Sequence, residues 1–313
     1  MPPPPIRPLP TGTPSSAPAA SATTPSAKPT LPPQPGKPQL AISRTPAKTF
    51  SVVTQTSAND GERILIYAKA GLGKTTLAST APGAVFIALD DGSKKLNAPA
   101  IPGVESFTDL RDAISQAAKL IPAKGSLVID TVTRAEALIE PHLLATIKTE
   151  KGVTATSMEA YGWGKGYRFL LEHYRLLLAD LDNLIRAGRN VILLAQEAPA
   201  RIANQDGIDY IEAGPQLYHS NNASLRTETC AWVDYVLRIG YADLTVTKEN
   251  QQARAGKVTG DRTRIIYSDG PLSFVAKSRP VQGRKLPAAI SFANEQDRSL
   301  WIMLCEGGIP NPE

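Results

Sequence analysis

Gly71, Gly73, Lys74 and Thr75 lie in the run Ala68-Lys69-Ala70-Gly71-Leu72-Gly73-Lys74-Thr75-Thr76, directly after the apolar stretch Ile64-Leu65-Ile66-Tyr67. Two glycines allow the backbone to turn with its N–H groups pointing inward, and such a nest at a helix start attracts anions. A lysine beside it supplies a point charge for β- and γ-phosphates, and the next hydroxyl is an oxygen ligand for Mg²⁺. The run fits G-x-x-x-x-G-K-[ST] except that Ala68 stands at the first glycine, a strand end where a methyl group is tolerable. Gly71, Leu72, Gly73, Lys74, Thr75 and Thr76 are therefore the candidate phosphate-binding residues. A match of this length arises by chance in on the order of a few per cent of chains this long, as a glycine-rich turn with an exposed lysine. The flanks carry the weight: an apolar strand precedes the loop and Thr76-Leu77-Ala78 opens a helix.

A second carboxylate-bearing strand end supports the first. Leu127-Val128-Ile129-Asp130 is an apolar run closing on an aspartate, which in this chemistry holds the metal beside the Thr75 hydroxyl. Alone, Asp130 is equally a helix-capping residue for the segment after Thr131. Val85–Leu89 runs into Asp90-Asp91-Gly92, where one carboxylate can orient and deprotonate a water; a solvated turn reads the same way. Val191–Ala195 ends at Gln196, which puts an amide where a γ-phosphate would be sensed; a polar cap on a buried strand edge is the other reading.

These residues need a sheet whose strand ends converge. Short apolar runs with almost no polar alternation, at Ile64–Tyr67, Val85–Leu89, Leu127–Ile129 and Val191–Ala195, predict strands covered on both faces. Phe107, Leu110, Ile114, Ala117 and Ile121 make one helical stripe, and a longer helix runs from about Lys165 to Ala187 with Gly188 as its stop. Alternation of strand and helix predicts an α/β fold with a mainly parallel central sheet. Val233–Tyr241, Thr263–Ser268 and Leu272–Ala276 read as antiparallel strands, and Asn294–Cys305 as a last helix.

Composition sets the boundaries. Of the 27 prolines, 15 fall in residues 1–46. Residues 1–49 form a Pro/Ser/Thr/Ala segment read as a disordered tail, whose Pro2–Pro10 stretch can offer polyproline II to a protein partner. That tail holds five basic residues and no acidic one, so the remaining 264 residues balance 29 positive against 29 negative charges. The overall charge of +5 therefore gives no argument that the folded part binds nucleic acid. Two cysteines give neither a disulfide framework nor metal-ligand spacing, as in a reducing cytoplasm. No apolar run approaches the roughly 18 residues of a spanning helix. The expected division is a tail over 1–49, an ATPase domain over 50–290, and a C-terminal helix and tail over 291–313.

Over roughly residues 62–290 the pattern resembles the RecA-like core P-loop ATPases, in particular phage-encoded nucleotide-binding proteins of the recombination and single-strand-annealing kind. The residues carrying it are Ala68–Thr76, Leu89–Gly92, Leu127–Thr131, Leu193–Glu197 and Ala276-Lys277-Ser278-Arg279. The resemblance implies ATP and Mg²⁺ as cofactors, with Lys74 and Thr75 on phosphate and metal and Asp130 supporting the metal. It implies Asp91 as catalytic carboxylate, Gln196 as the residue coupling nucleotide state to DNA contacts, and Lys277 and Arg279 as a pair reaching a neighbouring subunit's nucleotide. A solvated basic strand end is the other reading of Lys277 and Arg279. Asp91 is one methylene shorter than the family's usual glutamate, which points to slow hydrolysis.

The implied activity is ATP hydrolysis in DNA recombination or annealing, by a homo-oligomer assembled on single-stranded DNA in the cytoplasm, the host's if phage-encoded. A nucleotide-gated accessory protein with little turnover is the alternative. Two segments suit single-stranded DNA: Lys148–Arg168, where lysines alternate with Tyr161, Trp163 and Tyr167 among glycines, and the long polar stretch Ala198–Thr227 with Arg201, Asn221, Asn222 and Arg226. The other reading of Tyr161, Trp163 and Tyr167, stronger for Tyr167 than for Trp163, is that they staple the start of the long helix to the core. Lys248, Arg254, Lys257, Arg262 and Arg264 read as a basic hairpin tip.

Overall fold

The structure is a computed structural model; it describes residues 52, 60–204, 207–242, 245–247, 257–259, 263–280 and 285–307. The Pro-rich tail lies outside them, as do Lys248, Arg254 and Arg262. In chain order the elements are β1 (Arg63–Ala68), α1 (Lys74–Ser79), β2 (Ala84–Ala88), α2 (Phe107–Leu120), β3 (Ser126–Asp130), α3 (Val132–Thr146), α4 (Lys165–Arg186), β4 (Asn190–Ile202), β5 (Tyr210–Pro215), α5 (Leu225–Trp232), β6 (Tyr235–Tyr241), β7 (Thr245–Thr247), β8 (Lys257–Thr259), β9 (Arg264–Tyr267), β10 (Lys277–Ser278), β11 (Ala289–Phe292) and α6 (Ser299–Cys305). Short 3₁₀ turns cover Asp91–Leu96 and Met158–Tyr161.

The main sheet runs β11-β9-β6-β1-β4-β3-β2. The pairs β6–β1, β1–β4, β4–β3 and β3–β2 are parallel, and β9 and β11 continue the sheet antiparallel. This is the α/β architecture the sequence predicts, a mainly parallel sheet with antiparallel C-terminal strands. Four of the apolar runs are strands β1 to β4. β6 departs from expectation: Ile64 pairs with Tyr235 in parallel register, so Val233–Tyr241 supplies a fifth central strand. Leu272–Ala276 is not a strand; the short β10 follows it and pairs with the N-terminal end of β6.

Alternate residues of β1 face opposite layers. Leu65 and Tyr67 pack with α2, α3 and α4, whereas Ile64, Ile66 and Ala68 pack with α1 and α6. α2 is fixed at its start by a capping box between Ser106 and Asp109. α4 is stopped by Gly188, at φ 73°. The boundary expected at 290 falls inside β11, and Trp301 of α6 is fully buried, donating from Nε1 to Leu77 O and Thr80 Oγ1 at 2.9 Å each. The C-terminal helix therefore belongs to the same packed unit as the sheet.

Candidate functional site

Parallel strands deliver their C-terminal ends to one edge of the sheet, where ligands bind in such folds. β1 ends at Ala68, abreast of Gln196 on β4, and Asp130 of β3 stands abreast of Leu194. The loop between β1 and α1 turns through Gly71 at φ 81° and Gly73 at φ 92°, both left-handed. Gly73 has a second reason to be glycine. A Cβ there would lie 2.7 Å from the Arg264 guanidinium and 3.0 Å from the Phe292 ring.

Lys74, the first residue of α1, is 6% exposed. Its Nζ donates to Ala68 O at 3.1 Å, Lys69 O at 3.3 Å and Gln196 Oε1 at 3.1 Å. Burial pulls this ammonium below its ordinary pKa, and the charges of Asp130, Asp90 and Glu197 oppose that pull. Thr75 Oγ1 donates to Asp130 Oδ2 at 2.9 Å across the sheet. Asp130 is 2% exposed, and burial raises its carboxyl above the usual range, against the Thr75 hydrogen bond. A hydroxyl and a buried carboxylate in contact, with no cation of hydrogen-bonding reach on the carboxylate among the described residues, form an oxygen donor pair that fits a small hard cation such as Mg²⁺.

Gln196 is held from behind. Its N–H donates to Thr133 Oγ1 at 3.4 Å and its carbonyl accepts from the Gln216 N–H at 2.7 Å. Two residues on, Tyr218 stacks on Tyr167 at 4.5 Å between centroids, and its N–H bonds the Glu136 carboxylate. Continuous contacts thus link Lys74, through Gln196, to the start of α4.

The other predicted site residues are placed differently. Asp91 opens the 3₁₀ turn after β2, and its side chain lies outside the described residues. The charge of its neighbour Asp90 acts on both Lys74 and Asp130, and the Asp90 N–H donates to Asp130 O at 3.0 Å. Lys277 and Arg279 stand at the opposite, N-terminal end of β6. Lys277 Nζ donates to Cys230 O at 2.6 Å, and Arg279 binds Asp234 Oδ1 at 2.9 Å and Ala231 O at 3.1 Å. Both cations thus serve the C-terminal end of α5 and its neighbour Asp234.

The long polar stretch after Gln196 is largely structured, as the β4–β5 hairpin and α5. Arg226 is 4% exposed and paired with Glu212 at 2.7 Å, which removes it from the candidate DNA contacts. Tyr161 is buried, its hydroxyl donating to Leu143 O at 2.8 Å. Trp163, by contrast, is 97% exposed, between Gly162 and Gly164, both at positive φ. Arg264 is not at a hairpin tip; it begins β9 beside the Gly71–Lys74 loop, and nothing local in the sequence signals that.

No curated protein matches the chain. The solved KaiC-like protein of hyperthermophilic Pyrococcus horikoshii OT3 is similar at 14% identity, over 74% of this chain and 90% of its own, with a TM-score of 0.35. A family model described as an AAA domain matches residues 60–280, the stretch from just before β1 to just after β10 that contains the Lys74 loop, Asp130 and Gln196. The chain belongs to this AAA domain family.

Proposed function

We propose that the chain is a Mg²⁺-dependent ATPase, that Gly71–Thr76 cradles the triphosphate, and that Thr75 and Asp130 hold the metal. The observation carrying this reading is the Thr75–Asp130 contact of 2.9 Å with Lys74 buried beside it. The loop amides and Lys74 neutralise the β- and γ-phosphates, and the metal, when bound, neutralises developing charge on the phosphoryl oxygens. Asp90, whose charge acts on both Lys74 and Asp130, joins Asp91 as a candidate for orienting the attacking water. Gln196, whose amide oxygen accepts from Lys74, is pulled or released as the γ-phosphate competes for that ammonium.

The finer reading is that hydrolysis works on single-stranded DNA, in recombination or annealing, by subunits assembled along the strand. It is supported by the exposed Trp163, with Lys148, Lys151 and Arg168 of the same stretch also exposed, residue types that suit stacking on bases between phosphates. The contacts from Gln196 through Tyr218 end at Tyr167, in the same stretch of chain as Trp163. ATP turnover measured with and without an oligonucleotide at low salt tests this. Stimulation in the parent chain, reduced several-fold in Trp163→Ala, is expected; nucleotide binding with no DNA binding and no stimulation would leave a nucleotide-gated accessory protein instead.

A further inference from the structure

Arg264 is half-buried yet, among the described residues, no carboxylate or carbonyl pairs with its guanidinium, in contrast to Arg63, Arg111, Arg226 and Arg238, each held by an acid. What it does touch is Phe292: the guanidinium carbon stands 4.1 Å from the ring centroid. Phe292 is 1% exposed, and the half-buried guanidinium lies over its ring. The pair leans on the phosphate-binding loop, with a guanidinium nitrogen 2.7 Å from where a Gly73 Cβ would be.

The direction of a bound triphosphate follows from the site. Asp130 and Gln196, which mark the metal and γ-phosphate end, belong to β3 and β4 on one flank of β1. With the β-phosphate in the loop, the α-phosphate and nucleoside leave on the other flank, that of β6, β9 and β11. Arg264 pairs with Tyr241 and Phe292 pairs with Arg264 in the register of those strands, at the same C-terminal edge as the loop.

We infer that Arg264, backed by Phe292, is the platform on which the nucleobase of the bound nucleotide stacks. A planar guanidinium over one ring has a second face on which another ring can stack, and such a contact needs no hydrogen-bond partner at the arginine's edge. It reads the face of a base and not its edge, so Arg264 contributes equally to ATP and GTP. The inference rests on the phosphate site proposed above and adds the nucleoside end to it.

Titrations of the full-length chain with Mg²⁺ and, separately, ATP, GTP and inorganic tripolyphosphate distinguish the two ends. Arg264→Ala is expected to weaken ATP and GTP to the same degree, by roughly 5- to 100-fold, the size of one base stack, and to leave tripolyphosphate within about twofold. Arg264→Lys keeps the charge and the fold but not the planar face, and is expected to follow the alanine variant. Equal weakening of tripolyphosphate, full rescue by lysine, or unchanged ATP affinity in both variants would overturn the platform. A parent chain that binds tripolyphosphate but shows no gain from the nucleoside sinks the platform alone; one that binds neither sinks the phosphate site and this inference with it.

Discussion

At Lys74 burial and function pull in opposite directions: a 6% exposed ammonium loses hydration, and three acids and three oxygen acceptors keep the proton in place. The residue types of this site were readable from spacing alone, because a glycine-rich loop, its lysine and its hydroxyl are local. Asp130 was readable because it closes an apolar run. Arg264 was not, because it is brought to Gly73 only by strand pairing between distant segments. Gly73→Ala combines a left-handed φ with a collision against Arg264 and Phe292, so it is expected to abolish nucleotide binding while Gly71→Ala, with open space at its Cβ, loses only part of it; equal binding by the two variants in a titration would contradict this. Glu136 has a different signature. Burial pushes its carboxyl up to about 7, above the ordinary value an unfolded chain would show. Below pH 4.5 both states are neutral; from there to about 7 only the unfolded chain ionises, so stability falls as pH rises through that window and stays lowered above it. Glu136→Gln retains an acceptor for the Tyr218 N–H and is expected to raise thermal stability at pH 8, by on the order of 2 kcal/mol, with little gain at pH 4. Equal gains at both pH values would rule out titration as the cause.

The elements differ in how far they announce themselves. β1 to β4 were legible as uninterrupted apolar runs because both faces are covered by helices. β6 carries Arg238, held by Glu197 at 2.8 Å, and this charge inside the run, with the polar loops around it, imitates a half-exposed antiparallel strand. Its parallel place beside β1 depends on α5 making the crossover, and α5 lies within a stretch whose polar composition reads as loop. The loop-bearing helix α1 is only six residues long, too short to be stable by itself. What fastens it is α6, through the buried Trp301 that donates to Leu77 O and Thr80 Oγ1. Trp301→Ala leaves a large cavity behind the phosphate-binding loop and is expected to cost about 3–5 kcal/mol, visible as a lowered urea midpoint. A midpoint unchanged from the parent would mean that α6 contributes nothing to α1.

For the molecule as a whole, the AAA family match ends at residue 280, whereas the packed unit continues through β11 and α6, which bring Phe292 to the loop and Trp301 to α1. A chain shortened to residues 60–280 is therefore expected to lose soluble, cooperative folding, as circular dichroism melting would report. Lys277 and Arg279 are engaged within the chain at the far end of the sheet, so a role for them in a neighbour's site would require those hydrogen bonds to be exchanged. The most direct measurement concerns the metal-linked phosphate site itself. Calorimetric titration of the full chain with ATP, in Mg²⁺ and in EDTA, should give binding that is strongly strengthened by Mg²⁺, lost in Lys74→Ala, and retained without Mg²⁺ dependence in Asp130→Ala. An Asp130→Ala chain whose ATP affinity still rises with Mg²⁺ as in the parent, or a parent that ignores ATP, would contradict the account.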